Sequence, residues 1–308
     1  MRIRDSLAST RPFFSFEFFP PKNDEGAATL LATIETLRPL RPAFVSITYG
    51  AGGSTRARTM ELAKRISSDL GQVVMAHVTC VGSSRGELRE LFGDLADWGI
   101  ENVLALRGDP PKGEAAFAVT PGGFAHASDM TKMLSAEFDF CVGGACYPET
   151  HPESADRHTD LMNLVKKVDA GAEFLISQLF FDNEKYFEFV RRARATGISV
   201  PILPGIMPIT NYEQIARMTA MCGASIPPKL LAALRQRAGE PEAVEDLGVA
   251  YATLQCFELL SRGAPGIHFY TLNRSPATRA VVSALLAANA WRDLTLSMTR
   301  AATATSAS

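Results

Sequence analysis

The chain has 308 residues, of which 46% are hydrophobic and 21% charged, and its formal net charge is −2. This is an ordinary globular composition, long enough for one large domain or two small ones. The near-neutral charge gives no electrostatic reason to bind nucleic acid or an anionic membrane, and no apolar run approaches the ~20 residues needed to span a bilayer. The N-terminus lacks the continuous apolar segment of a secretory signal. Five scattered cysteines without a C-x-x-C pair suggest reduced, buried thiols, so a cytoplasmic protein is expected.

Strand-like apolar runs alternate with segments of helical period along the chain. The predicted strands are 13–19, 43–48, 73–79, 102–106, 138–145, 173–179, 201–204 and 266–270, and the helices between them include 28–37, 55–70, 86–98, 160–170, 184–195 and 211–222. Such an alternation fits a (β/α)₈ TIM barrel, for which ~250 residues is typical. A doubly wound sheet is the competitor, but no G-x-G-x-x-G follows the first strand. Residues 226–263 hold about two helices, which predicts an enlarged connection before the last strand. The expected organisation is a lead-in over 1–12, a single barrel domain over 13–292 and a small, polar, disordered tail over 293–308.

The first strand places Glu17 among five phenylalanines and closes with Pro20-Pro21. Side chains on a strand alternate, so Phe14, Phe16 and Phe18 share one face while Ser15 and Glu17 share the other. A carboxyl held against aromatic surface resists ionisation, which suits a proton donor. As plain structure, Glu17 would instead pair with an unseen Arg or Lys.

In a barrel the chemistry sits at the C-terminal ends of the strands. Those ends are rich in polar groups: Glu17, Thr48-Tyr49, His77 and Thr79, Arg107-Gly108-Asp109, Tyr147, Gln178, and Tyr270 through Arg274. Gly50 through Thr55 reads either as a loop cradling phosphate or as a turn capped by Ser54 or Thr55. Arg107-Gly108-Asp109 reads as a cell-adhesion tripeptide only by accident, or as a local ion pair around a turn. His151 and His158, seven apart among acidic residues, match no familiar metal-ligand spacing, and no metal is expected. Gln178 at the end of an apolar strand needs hydrogen-bond partners that a ligand would supply.

Several of these segments are distinctive together: Ser15-Phe16-Glu17-Phe18-Phe19-Pro20-Pro21, Ser46-Ile47-Thr48-Tyr49-Gly50-Ala51, His77-Val78-Thr79-Cys80 and Ala105-Leu106-Arg107-Gly108-Asp109-Pro110. Tyr147-Pro148-Glu149-Thr150-His151-Pro152-Glu153, Lys167-Val168-Asp169-Ala170-Gly171-Ala172, Gln178-Leu179-Phe180-Phe181-Asp182 and His268-Phe269-Tyr270-Thr271-Leu272-Asn273-Arg274 complete the set. The chain resembles the methylenetetrahydrofolate reductase family, in its bacterial type with the catalytic barrel alone.

The resemblance implies a barrel that binds FAD, takes hydride from NADH or NADPH, and reduces 5,10-methylenetetrahydrofolate to 5-methyltetrahydrofolate. Carried over by position, Glu17 is the general acid that assists opening of the folate ring, and Asp109 is the carboxylate beside the flavin. The implied flavin set is Thr48, Tyr49, Ala51, His77, Arg107, Gly108, Asp109, Ala127, Tyr147, His151, Asp160, Asn163 and Lys167. Gln178, Gln214 and Arg274 are the implied folate-binding residues. Lys166 joins Arg107 and Lys167 as positive charge for the pyrophosphate. An exposed helix face is the alternative reading of Asp160, Asn163 and Lys167. Met218 stands where some bacterial members carry a nicotinamide-stacking Phe, and His126 where a Tyr is expected near adenine. Homo-oligomers are common among such barrels, and one is expected here.

Overall fold

The computed structural model describes residues 1–9, 11–50, 55–110, 113 and 117–289. The strands are β1 (Phe13–Phe18), β2 (Phe44–Ile47), β3 (Val74–Thr79), β4 (Asn102–Leu106), β5 (Cys141–Cys146), β6 (Phe174–Ser177), β7 (Ile202–Leu203), β8 (Gly205–Ile206) and β9 (Gly266–Tyr270). The helices are α1 (Ile3–Leu7), α2 (Asp24–Leu37), α3 (Arg56–Leu70), α4 (Arg85–Asp97), α5 (Ala127–Glu137), α6 (Arg157–Asp169), α7 (Asn183–Ala195), α8 (Tyr212–Cys222), α9 (Pro228–Gln236), α10 (Pro241–Ser261) and α11 (Pro276–Ala288). All the strand pairings are parallel, running from β7 through β6, β5, β4, β3, β2 and β1 to β9 and then β8.

The seventh barrel strand is split. Pro204 has no N–H to give a ladder, so the chain pairs with β6 through Ile202–Leu203 and with β9 through Gly205–Ile206. This split closes the ring, and the fold is the expected (β/α)₈ barrel. The enlarged connection lies before β9, where α8, α9 and α10 intervene. Helix α5 was not legible in the sequence, because Ser128, Thr131 and Ser135 dilute its apolar stripe with poor helix formers.

Closure sorts the side chains into two layers. Phe14, Phe16 and Phe18 point outward and join Leu30, Ile34 and Leu37 of α2 in the main core between strands and helices. The alternate residues point inward. At the N-terminal end Phe44, Met75, Leu104, Cys141, Phe174 and Leu203 fill the barrel, and Ile3 of α1 plugs it from below. Asn102 fastens the plug: its Oδ1 accepts from Ile3 N–H at 2.8 Å. Apart from Asn102, the filling of this end is apolar, and the other inward polar residues lie above it.

Phe16 is fully buried whereas Phe19 is 38% exposed. Phe16→Ala should destabilise the fold by about 3–5 kcal/mol, with Phe19→Ala costing far less, as read by urea unfolding midpoints.

Candidate active site

Glu17 projects into the barrel from β1 and is 7% exposed. Its neighbours there are imidazoles, not phenylalanines, because alternation sends the aromatic rings to the opposite face of the strand. Oε2 lies 3.2 Å from His268 Nε2 and 3.5 Å from His77 Nε2. His268 in turn meets Ser15 Oγ at 2.8 Å through Nδ1, stacks on Phe44 at 5.7 Å and meets Tyr270 edge-on at 5.5 Å. The backbone carbonyl of Glu17 accepts from Thr271 Oγ1 at 2.7 Å. The side chain of Asn273 brackets the next turn, accepting from Phe19 N–H at 2.7 Å and donating to Phe19 O at 2.8 Å. That bracket holds Leu272 and Asn273 both at positive φ, 53° and 59°.

Above Glu17 opens a cavity of about 370 Å³ at the C-terminal ends of the strands. Thr48, Tyr49, His77, Arg107, Gly108, Asp109, Ala127, Tyr147, His151, Lys167 and Gln178 share its walls with Glu17. Three buried polar atoms on this wall, Tyr49 Oη, His77 Nε2 and Thr79 Oγ1, have no hydrogen-bond partner. Buried polar groups are rarely left unmade, so these mark a surface shaped for a ligand. Burial holds the Tyr49 hydroxyl at about 12 and pushes His77 down to about 4, against the partial opposing pull of Glu17. His77 is therefore a neutral ring at pH 7. Gln178 Oε1 accepts from the N–H of Leu179 at 2.8 Å, which leaves its amide nitrogen for the cavity. Gly108 sits at φ +89°, and a Cβ there would meet Val81 at 2.6 Å, so only glycine fits.

A second cavity of about 310 Å³ adjoins the first, sharing Arg107, Ala127, Tyr147, His151 and Lys167, and adds Asp160, Asn163 and Lys166. Arg107 is not paired with Asp109 around its turn: its guanidinium grips Glu153 with both nitrogens, at 2.6 and 2.7 Å. Asp160 accepts from His151 N–H at 3.0 Å and so ties the Tyr147–His151 turn to α6. Lys167 donates to the carbonyl of Ala145 at 2.5 Å, and burial lowers its proton affinity. It crosses behind β5 over Gly144, where a Cβ would meet its stem at 2.6 Å.

Not every expected residue converges. Gln214 on α8 and Arg274 beyond β9 are not among the residues lining either cavity, and Arg274 is exposed. Met218, one turn beyond Gln214, does reach the first cavity, together with Cys222 and Met207. His126 lines the second. Ala51 lies outside the described residues, as do most of the Gly50–Thr55 loop and the tail. Among the described residues no three His, Cys, Asp or Glu side chains are grouped to hold a metal ion, and no helix is long and apolar enough to cross a membrane.

The sequence singled out Tyr270 only as one of the polar strand ends and assigned no role to Ser15 or His268. Tyr270 Oη donates to Ser177 O at 2.6 Å over the split seventh strand, and Gly205 leaves it room, since a Cβ there would meet Oη at 2.5 Å. Inward alternation on the last strand was the available signal for both His268 and Tyr270.

The arrangement defines a single-mouthed TIM barrel with an enclosed acid facing a ligand cavity. The methylenetetrahydrofolate reductase family model matches residues 2–286, and the chain belongs to that family. It is 39% identical over 288 residues to methylenetetrahydrofolate reductase (NADH) 1 of Arabidopsis thaliana, an alignment covering 89% of this chain but 49% of the plant protein. The chain thus spans about half the length of such relatives. The 5,10-methylenetetrahydrofolate reductase of Escherichia coli is 38% identical over 272 residues, covering 88% of this chain and 90% of the relative. Among solved structures, a Clostridium thermocellum protein described as binding two copies of 5-methyl-5,6,7,8-tetrahydrofolic acid shares the fold with a TM-score of 0.63 at 17% identity, covering 92% of this chain and 97% of that one.

His77 generates a pH prediction. Its folded value of about 4 lies below its ordinary 6.5, so the unfolded chain binds the extra proton between these limits. Stability should be full above pH 6.5, fall as pH drops from 6.5 toward 4, and gain no further slope from this residue below 4. The span corresponds to roughly 3 kcal/mol. Chemical denaturation across this range should show a shallower pH slope for His77→Gln than for the wild type.

Proposed function

We propose that the chain is a flavin-dependent 5,10-methylenetetrahydrofolate reductase, moving hydride from NADH or NADPH by way of FAD to methylenetetrahydrofolate to give 5-methyltetrahydrofolate, or running that reaction in reverse. The observation that carries this reading is the carboxyl of Glu17, hydrogen-bonded to His268 with His77 close by, at the floor of a cavity whose wall also bears Asp109 and Gln178. Family membership and the names of the relatives in plants and bacteria supply the reaction class. A cytoplasmic homo-oligomer accords with the reading.

The residues present fit a flavin. The unpartnered Tyr49 Oη, His77 Nε2 and Thr79 Oγ1 offer polar contacts along one wall. Thr48, Gly108, Ala127, Tyr147 and His151 complete the first cavity, and Asp160, Asn163 and Lys167 extend it into the second. Lys166 and Lys167 supply positive charge for a pyrophosphate, since Arg107 is already engaged by Glu153. Bound FAD would supply a two-electron carrier between nicotinamide and folate.

The protein's own groups do the rest. Glu17, in its acid form, gives a proton to N10 of the folate and assists opening of the five-membered ring to the N5 iminium ion, which accepts hydride. Asp109 places negative charge by the mouth, favouring the cation that develops on folate. Gln178 turns its amide nitrogen toward an acceptor on the pterin edge. Neutral His77 is close enough to polarise the Glu17 carboxyl without adding a charge of its own.

Glu17→Gln should leave the flavin absorbance and the reduction of flavin by NADH nearly intact. Folate reduction should fall on the order of 10²–10⁴-fold, measured by following each half-reaction in a stopped-flow spectrometer. Full folate turnover in the variant would contradict the acid role, and a colourless active preparation would contradict the flavin.

A further inference from the structure

We propose that Ser15 and His268 are positioning residues that decide which oxygen of Glu17 delivers its proton. This rests on the reading of Glu17 as the acid, and concerns how that acid is held. Ser15 and His268 are register partners across the β1–β9 seam, the seam that closes β1 against the last strand. Both are fully buried, and their side chains meet at 2.8 Å. His268 then bridges to Glu17 Oε2 at 3.2 Å. The three groups form one hydrogen-bonded line inside the barrel, from Ser15 through the imidazole to the carboxyl.

The direction of that line follows from counting donors. His268 is the single partner of the Ser15 hydroxyl among the described residues. If Nδ1 carried the proton, Ser15 would accept it and leave its own buried O–H without an acceptor. With Ser15 donating, Nδ1 accepts and the imidazole proton sits on Nε2, pointing at Glu17 Oε2. The carbonyl oxygen of a carboxylic acid is a better acceptor than its hydroxyl oxygen, so Oε2 takes the carbonyl role toward Nε2–H and in the acid form the proton sits on Oε1. No described residue bonds Oε1, and Glu17 lines the cavity, which makes Oε1 the end available to substrate. After transfer, Oε1 is left as a carboxylate oxygen and Oε2 still accepts from His268, so the pair serves both states of the acid without moving. Phe44 stacked on the ring fixes its plane. The other titratable groups facing Glu17 are His77 on β3 and Tyr270 on β9.

The test has one arm free of activity. Long-range ¹H–¹⁵N correlation spectra of the full chain, with the His268 signals assigned from His268→Gln, should show the Nε2-protonated ring. Ser15→Ala should shift that ring toward a mixture of tautomers. Protonation at Nδ1 in the wild type would overturn the proposal. In turnover, His268→Phe should lower kcat for methylenetetrahydrofolate on the order of 10²-fold with little change in KM. His268→Gln, which keeps an N–H donor, should recover most of the loss and Ser15→Ala should lie between. Wild-type rates in both His268→Phe and Ser15→Ala would also overturn it, as would a loss carried by KM. Should His268→Phe fail to fold, Ser15→Ala and the wild-type spectra decide. A wild-type protein that reduces no methylenetetrahydrofolate would sink the proposed function, while the tautomer still tests this line.

Discussion

Everything at the mouth of this barrel depends on the pleat of one strand. β1 is bonded to β2 on one side and to β9 on the other, so its two faces cannot exchange without undoing the ring. A slip of one residue would bury Glu17 among the helices and drive Phe16 into the interior. Three outward phenylalanines, all nearly inaccessible to solvent, oppose that slip with the burial of their whole side chains. The hydrophobic packing outside is therefore what holds the acid inside.

The interior is graded from one end to the other. Ile3, Phe44, Met75, Cys141 and Phe174 close the lower end with apolar contacts, and Leu104 reaches up to the cavity. Above Asn102 and the plug, polar residues follow one layer higher with Ser15, Ser46 and His268, and reach the cavity at Glu17, His77 and Tyr270. A buried carboxyl is costly to keep unless its hydrogen bonds are met. Here one oxygen is met by the ring of His268, and the other is left to whatever enters from above.

Much of this was legible in the sequence because barrel strands are short apolar runs at regular spacing, and their polar ends stand out against that background. Strand ends predicted at Glu17, His77, Asp109 and Gln178 do meet around one cavity. The strand predicted over 201–204 gave no sign of the split at Pro204 or of its role in closing the ring, since pairing is a property of two distant strands. The expectation that aromatic rings surround Glu17 failed for a local reason: neighbours in sequence lie on opposite faces of a strand. Its true neighbours, His77 and His268, are 60 and 251 positions away. The Ser15–His268 contact spans 253 positions and exists only because the ring closes. Gln214 and Arg274 stand off the cavity walls, because likeness of motif places a residue on an element without saying how far it stands from the cavity.

The account turns on where the proton of Glu17 is offered, and the most direct measurement is a crystal structure of the protein with FAD and a bound folate. The account predicts a folate nitrogen about 2.6–3.2 Å from Oε1 of Glu17, with Oε2 still on His268 Nε2. A folate bound away from Glu17, or one that takes Oε2 and displaces His268, would contradict it.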